Sequence, residues 1–282
     1  NKNNKMKRTS ICIMLIALFS NVNAQNSAEK IVAGNPGLHI GGYAQVDFNL
    51  NDRVGTIHNN GKLDVHRLVT FFGYNFNEKA SFVSEVEFEH VSEVYVEQAF
   101  LDYKITKNLS INAGLMLIPM GIQNLYHEPA SFNGVERTNV DKYIIPTTWR
   151  EMGIGLSGRS LEHSINYQAM LVNGFNGYND GGVFSGKSGL RSGRQKGAEA
   201  MFNESNLSTR IDYYGIGNLK VGFSGYFGNT NVDVDSDSPK VGIPMVGFDA
   251  RYTNNRFGAR GQYITASISD TEVYNTYYES NL

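Results

Sequence analysis

Cysteine is almost missing from this sequence: Cys12 stands alone among 282 residues. A disulfide framework is excluded, and Cys12 lies at the start of an apolar run rather than after it, where a lipoprotein signal would need it. Long apolar runs are missing too. No stretch approaches the ~18 residues of a helical membrane span. Proline is scarce at six and tryptophan occurs once. Positive charge is in deficit. Setting aside Lys2, Lys5, Lys7 and Arg8 near the start leaves 21 basic against 27 acidic groups, a balance of −6. A general nucleic-acid binder would carry the opposite sign, so no nucleic-acid partner is expected.

Catalytic and metal signatures are absent as well. There is no G-x-S-x-G, no H-E-x-x-H and no paired Cys/His set, and the histidines at 39, 58, 66, 90, 127 and 163 show no ligand spacing. Gly153, Gly155 and Gly158 fit G-x-G-x-x-G, but that fingerprint needs a helix to begin there, and here it lies inside an alternating strand. Asp233, Asp235 and Asp237 begin like a calcium loop. Ser238 and Pro244 then occupy the places where glycine and glutamate are required, so that pattern fails. No catalytic residue, cofactor or metal follows from the sequence.

What is present is alternation. Thirty Gly, 16 Tyr and 16 Phe accompany many short segments in which every other residue is apolar. Residues 1–24 form a leader, with a basic start, a short apolar run at Ile11–Phe19 and a small-residue cleavage site at Val22-Asn23-Ala24. Residues 25–37 are a polar lead-in, and 38–268 hold eleven strands. Leu38–Leu50 is the clearest, with Leu38, Ile40, Ala44, Val46 and Phe48 on one parity and His39, Tyr43, Gln45 and Asp47 on the other. Leu63–Phe76 cannot be sorted, because Val65, Val69 and Phe71 share parity with Arg67, which leaves the faces of His66 and Arg67 open. Every second connection is short: Asn77–Lys79, Thr106–Asn108, Leu161-Glu162, Gly215–Asn218 and Thr253–Asn255. The others run up to about thirty residues, notably 122–148 and 174–206.

Short turns at one edge, long loops at the other and strands of ~10 residues specify an all-β fold, a transmembrane antiparallel β-barrel of the bacterial outer membrane. Lipid demands that the apolar parity face outward and the polar parity a wet interior. The expected lumen lining is therefore Glu85, Glu87, Asp102, Arg210, Asp212, Lys220, Asp249, Arg251 and Arg260. Strand-end aromatics Tyr43, Phe76, Tyr103, Trp149, Tyr214 and Tyr252 are candidates for interfacial girdles. Residues 269–282 read as the start of another external loop. An odd strand count without an aromatic final strand makes the chain read as C-terminally incomplete.

The run VEQAFLDYKI, LSINAGLMLIPMG and TTWREMGIGLSGR, around Glu97, Asp102, Pro119, Gly121 and Gly153, resembles the phosphate-selective porin O and P family. That resemblance implies a trimeric, water-filled, sixteen-stranded channel in lipid and lipopolysaccharide, carrying small solutes such as phosphate or other anions. It also implies a third external loop folded inward, here 122–148. The constriction residues would be His127, Glu128, Arg137, Lys142 and Arg150, with Glu136 and Asp141 beside them. The family's dense arginine ladder is not evident, since the inferred lumen carries both signs. Two rivals stay in play: a plugged structural or adhesive barrel, and a barrel hydrolase, for which no catalytic cluster can be assembled.

Overall fold

The computed structural model describes residues 36–50, 61–132, 137–178, 181–233 and 237–282. The leader, nearly all of the lead-in, loop 51–60, Glu136 and Asp235 lie outside the described residues. Among the described residues eleven strands follow one another: β1 (Gly37–Leu50), β2 (Gly61–Asn75), β3 (Ala80–Glu89), β4 (Glu93–Thr106), β5 (Leu109–Leu117), β6 (Arg150–Ser160), β7 (Ile165–Val172), β8 (Asn206–Ile216), β9 (Leu219–Phe227), β10 (Met245–Thr253) and β11 (Gly258–Ala266). They form a single sheet in sequence order, each strand antiparallel to its chain neighbours. At one end the connections have two to four residues; at the other, 118–149, 173–205 and 228–244 are long, while 90–92 is short. The G-x-G-x-x-G glycines all fall within β6, where Gly155 lets Met170 of β7 pack against it.

Burial follows parity. Leu38, Ile40, Phe48, Leu101, Ile154, Phe223 and Tyr263 stand exposed on one face, Phe48 at 67% and Tyr263 at 70%. On the other, Glu85 is 1% and Asp249 0% exposed. In a soluble sheet these values would be reversed. Facing the polar set outward would put basic side chains into lipid, at ~2–4 kcal/mol for each one near the bilayer midplane, so lipid selects this orientation. The arrangement is that of a transmembrane β-barrel wall. The curvature is visible in one segment: 118–149 lies against β3 and β4 through His127, β8 through Gly121, β9 through Tyr126 and β11 through Ile122. A flat sheet could not offer β3 and β11 to the same thirty-odd residues.

A β-bulge explains why β2 resists sorting by parity. Gln45 pairs with Arg67 but Val46 pairs with Val65, so His66 is an extra residue and the alternation slips by one. Leu63 and Val65 before it, and Leu68 and Phe72 after it, all face out, while His66 and Arg67 both turn to the interior. The same device recurs in β4. Glu85 pairs with Gln98 and Val86 with Val96, so Glu97 is the extra residue and Glu97-Gln98 point inward together.

Several expectations are revised. Trp149 is no girdle residue; it is fully buried, stacked on Phe175 at 4.4 Å and edge-on to Tyr226 at 4.7 Å. Tyr43 turns inward, its ring 6.0 Å from Phe71. The alternation over Val241–Tyr252 suggests a longer strand, but β10 begins at Met245. Residues 269–282 carry a helix, α1 (Thr271–Tyr278), in place of a plain loop. The hydroxyl of Tyr274 donates to the Gly177 carbonyl (3.1 Å) and accepts from the Phe184 amide (3.0 Å), fixing α1 onto loop 173–205.

Candidate functional site

The inward segment 118–149 is closed at its base by Asn124. Its side-chain amide donates to the carbonyls of Ile118 (2.7 Å) and Trp149 (2.8 Å), and its oxygen accepts from the Trp149 amide (2.7 Å). One fully buried residue thus ties together both ends of the excursion, and nothing in an alternating pattern announces it.

On the β2–β4 side, charged groups meet in a dry interior. His127 Nε2 lies 2.9 Å from Glu97 Oε2 and 3.3 Å from Glu85 Oε1. Arg150 Nη1 reaches Glu97 Oε1 at 3.1 Å, and the Thr148 hydroxyl donates to the same oxygen at 2.7 Å. Gln98 donates to Glu85 Oε2 at 2.6 Å. Arg67 Nη1 stands 3.0 Å from Glu87 Oε1, an ion pair in distance whose angles are not those of a hydrogen bond, and Nη2 is 3.7 Å from Glu89. Burial alone would discharge His127. The carboxylates of Glu85 and Glu97 outweigh it and lift its pKa to about 10. An imidazolium has no lone pair for a metal, and Arg150 and Thr148 already occupy Glu97, so this cluster suits an anchor better than a cation site.

On the β8–β10 side the balance differs. Arg210 Nη2 lies 2.7 Å from Asp212 Oδ1 and 2.8 Å from Asp249 Oδ2, and its Nη1 donates to the Gly121 carbonyl at 3.2 Å. Lys220 Nζ is 3.3 Å from Asp212 Oδ2, and Arg251 Nη2 is 3.7 Å from Asp212 Oδ1. Tyr126 from the inward segment sits between them, its ring 4.7 Å from the Arg251 guanidinium and its hydroxyl accepting from Lys220 at 3.3 Å. Below lies a cavity of about 510 Å³, lined by Lys104, Lys107, Arg159, Arg210 and Lys220, with Asp212 the one carboxylate among the described residues that line it. Asp102, nearby, accepts from Asn112 at 2.7 Å.

The remaining expected residues disperse. Glu128 immediately precedes a short 3₁₀ turn, Pro129–Ser131, whose Ser131 carbonyl accepts from Arg260. Lys142 is exposed, 5.4 Å above the Tyr143 ring, and stands apart from the interior charges. Asp141 accepts from Gln262 at 2.8 Å. Arg137 donates to the Thr147 carbonyl (3.1 Å), which also accepts from Arg191 (2.7 Å), while Arg194 donates to Pro146 and Thr148 (both 2.9 Å). Burial lowers all three guanidinium pKa values, that of Arg194 to about 9, with Arg191 adding repulsion there. Arg191 and Arg194 belong to loop 173–205, and composition gave no sign that they would reach the end of 118–149. His66 and His90, 24 positions apart and without ligand spacing, are brought within 5.3 Å ring to ring.

No family model matches this chain. It is 33% identical over 263 residues to an uncharacterised protein of Aquifex aeolicus (strain VF5), covering 87% of this chain and 56% of that protein, so it spans about half the relative's length. Among solved structures it is similar to the outer membrane channel DcaP of Acinetobacter baumannii, with 13% identity, TM-score 0.42 and coverage of 87% and 84% of the two chains. OmpT of Vibrio cholerae in its trimer form gives 11% identity, TM-score 0.39 and coverage of 83% and 79%. Pseudomonas aeruginosa OpdL gives 13% identity, TM-score 0.39 and coverage of 82% and 63%. The chemistry of the interior has to be read from this chain's own residues.

Proposed function

We propose that this chain forms the wall of a water-filled outer-membrane channel through which small hydrophilic, charged solutes diffuse passively, anions in preference. The observation that carries this is the cavity beneath the inward segment, where five cations face one carboxylate. Lumen charge of one sign raises the local concentration of the opposite ion, and pore selectivity follows from such clusters. Phosphate is one anion of fitting size and charge. His127, Glu128, Arg137 and Lys142 of the inward segment, with Arg150 just beyond it at the start of β6, are the residues we assign to the constriction, Lys142 at its edge. The outward apolar band meets lipid and lipopolysaccharide, and a homotrimer is the assembly inferred. No covalent chemistry is assigned to any residue.

A second reading has its own observation: Trp149, Phe175, Phe184 and Tyr226 pack a dry aromatic cluster between the long connections. If that cluster seals the bore, the barrel is structural. Planar-bilayer recordings on the purified full-length protein separate the two. Stepwise ohmic conductance supports a channel, in triplets if it is a trimer. Silence from a folded, heat-modifiable protein would replace the channel by the plug.

A further inference from the structure

We propose that Asp47, Asp64, His66 and His90 form a binding site for a divalent transition-metal ion such as Zn²⁺, at the long-loop mouth of the barrel. The four residues come from β1, β2 and the β3–β4 link. His90 Nδ1 lies 2.6 Å from Asp64 Oδ2, and His66 Nδ1 lies 3.8 Å from that oxygen and 3.5 Å from Asp47 Oδ2. One ligand atom each from Asp64, His66 and His90 falls within 4.8 Å of the others. A tetrahedral ion with bonds of ~2.0–2.1 Å holds its ligand atoms about 3.3 Å apart, so small side-chain rotations suffice. Two imidazoles with carboxylates suit zinc and its neighbours rather than calcium or magnesium, which take oxygen.

Further features fit. Asp47 and Asp64 are direct cross-strand partners, a placement in which like charges repel. Among the described residues neither is ion-paired to lysine or arginine; the basic groups within 4 Å of their carboxylates are the two histidine rings. Gln45 donates to both Asp47 oxygens, at 3.0 and 3.1 Å, as an outer partner that orients a ligand. His90 and the β-branched Val91 both take left-handed backbone, φ 49° and 69°, and that strained link aims the His90 ring at Asp64. His66 is available only because the β2 bulge turns it inward beside Arg67. The histidines are 31% and 47% exposed at their side chains, so an ion can enter.

The test is Zn²⁺ titration by calorimetry on the detergent-folded full-length protein after chelator treatment. One ion per chain at about micromolar affinity is expected, weakened more than ~100-fold in the double variant His66→Ala/His90→Ala and about tenfold or more in Asp64→Asn. His163→Ala, which alters a histidine bonded to Ser160 at the short-turn end, should bind as the parent does. Because the double variant could misfold, Co²⁺ absorption on the parent provides a second measurement: visible bands of tetrahedral nitrogen-ligated cobalt are expected. No saturable binding, binding that survives in a folded double variant, binding lost in His127→Asn instead, or no cobalt bands would each overturn the site.

Discussion

On the β2–β4 side of the interior, Glu85, Glu87 and Glu97 face Arg67, Arg150 and His127, and every side chain is at most 4% exposed. On the β8–β10 side, Asp212 and Asp249 face Arg210, Lys220 and Arg251, of which Lys220 is 27% and Arg251 14% exposed. The first set is dry and matched three to three, with the partly exposed Glu89 at its rim 3.7 Å from Arg67; the second is wet at its rim and carries one cation in surplus. Both touch the inward segment. Balance without water makes an anchor, because no charge is left for a solute. Surplus at a wet rim makes a lining.

The largest effect expected from breaking this contrast is at Glu97. Glu97→Ala strands His127 and Arg150 in a buried site, and removing one partner of a buried pair costs ~3–5 kcal/mol. Urea unfolding of the detergent-folded protein should show a midpoint far below the parent's. Asn124→Ala comes next: two carbonyls and an amide lose a buried partner, at ~1–3 kcal/mol for a group left unsatisfied. Its signature should include faster proteolysis within 118–149. His127→Asn sharpens the contrast through pH. The folded imidazolium titrates at about 10, above the ~6.5 of an unfolded histidine, so its stabilisation is complete below ~6.5 and is lost as pH rises towards 10. Glu85, Glu97 and, through Glu97, Arg150 are the charges that set it. The parent's midpoint minus the variant's should therefore shrink from pH 6 to pH 10; a constant difference would assign His127 to packing alone. Smallest in stability is Lys220→Glu, at ~0–1 kcal/mol for a partly exposed pair, measured by the same unfolding curve.

Alternation made the wall legible. Strands such as Leu38–Leu50 and the repeated short turns suffice to place Glu85, Glu87, Arg210, Asp212 and Asp249 on the inner face, because period two is a local property. The anchor was only half legible. Glu97 is the extra residue of one bulge and Arg67 adjoins another, and an inserted residue flips parity without a composition signal. Asn124, Arg191 and Arg194 act through contacts made within long connections, where no periodicity constrains a side chain. The histidine pair at the mouth illustrates the same limit: spacing rules cover ligands on one element, whereas His66 and His90 meet across a sheet.

The contrast is tested most directly by reversal potential in a KCl gradient across planar bilayers, comparing the parent with Lys220→Glu/Arg251→Glu. Anion preference in the parent and a shift towards cations in the variant are expected, with conductance retained. Equal reversal potentials in two conducting, folded proteins would contradict the assignment of the β8–β10 network as the lining that selects the solute.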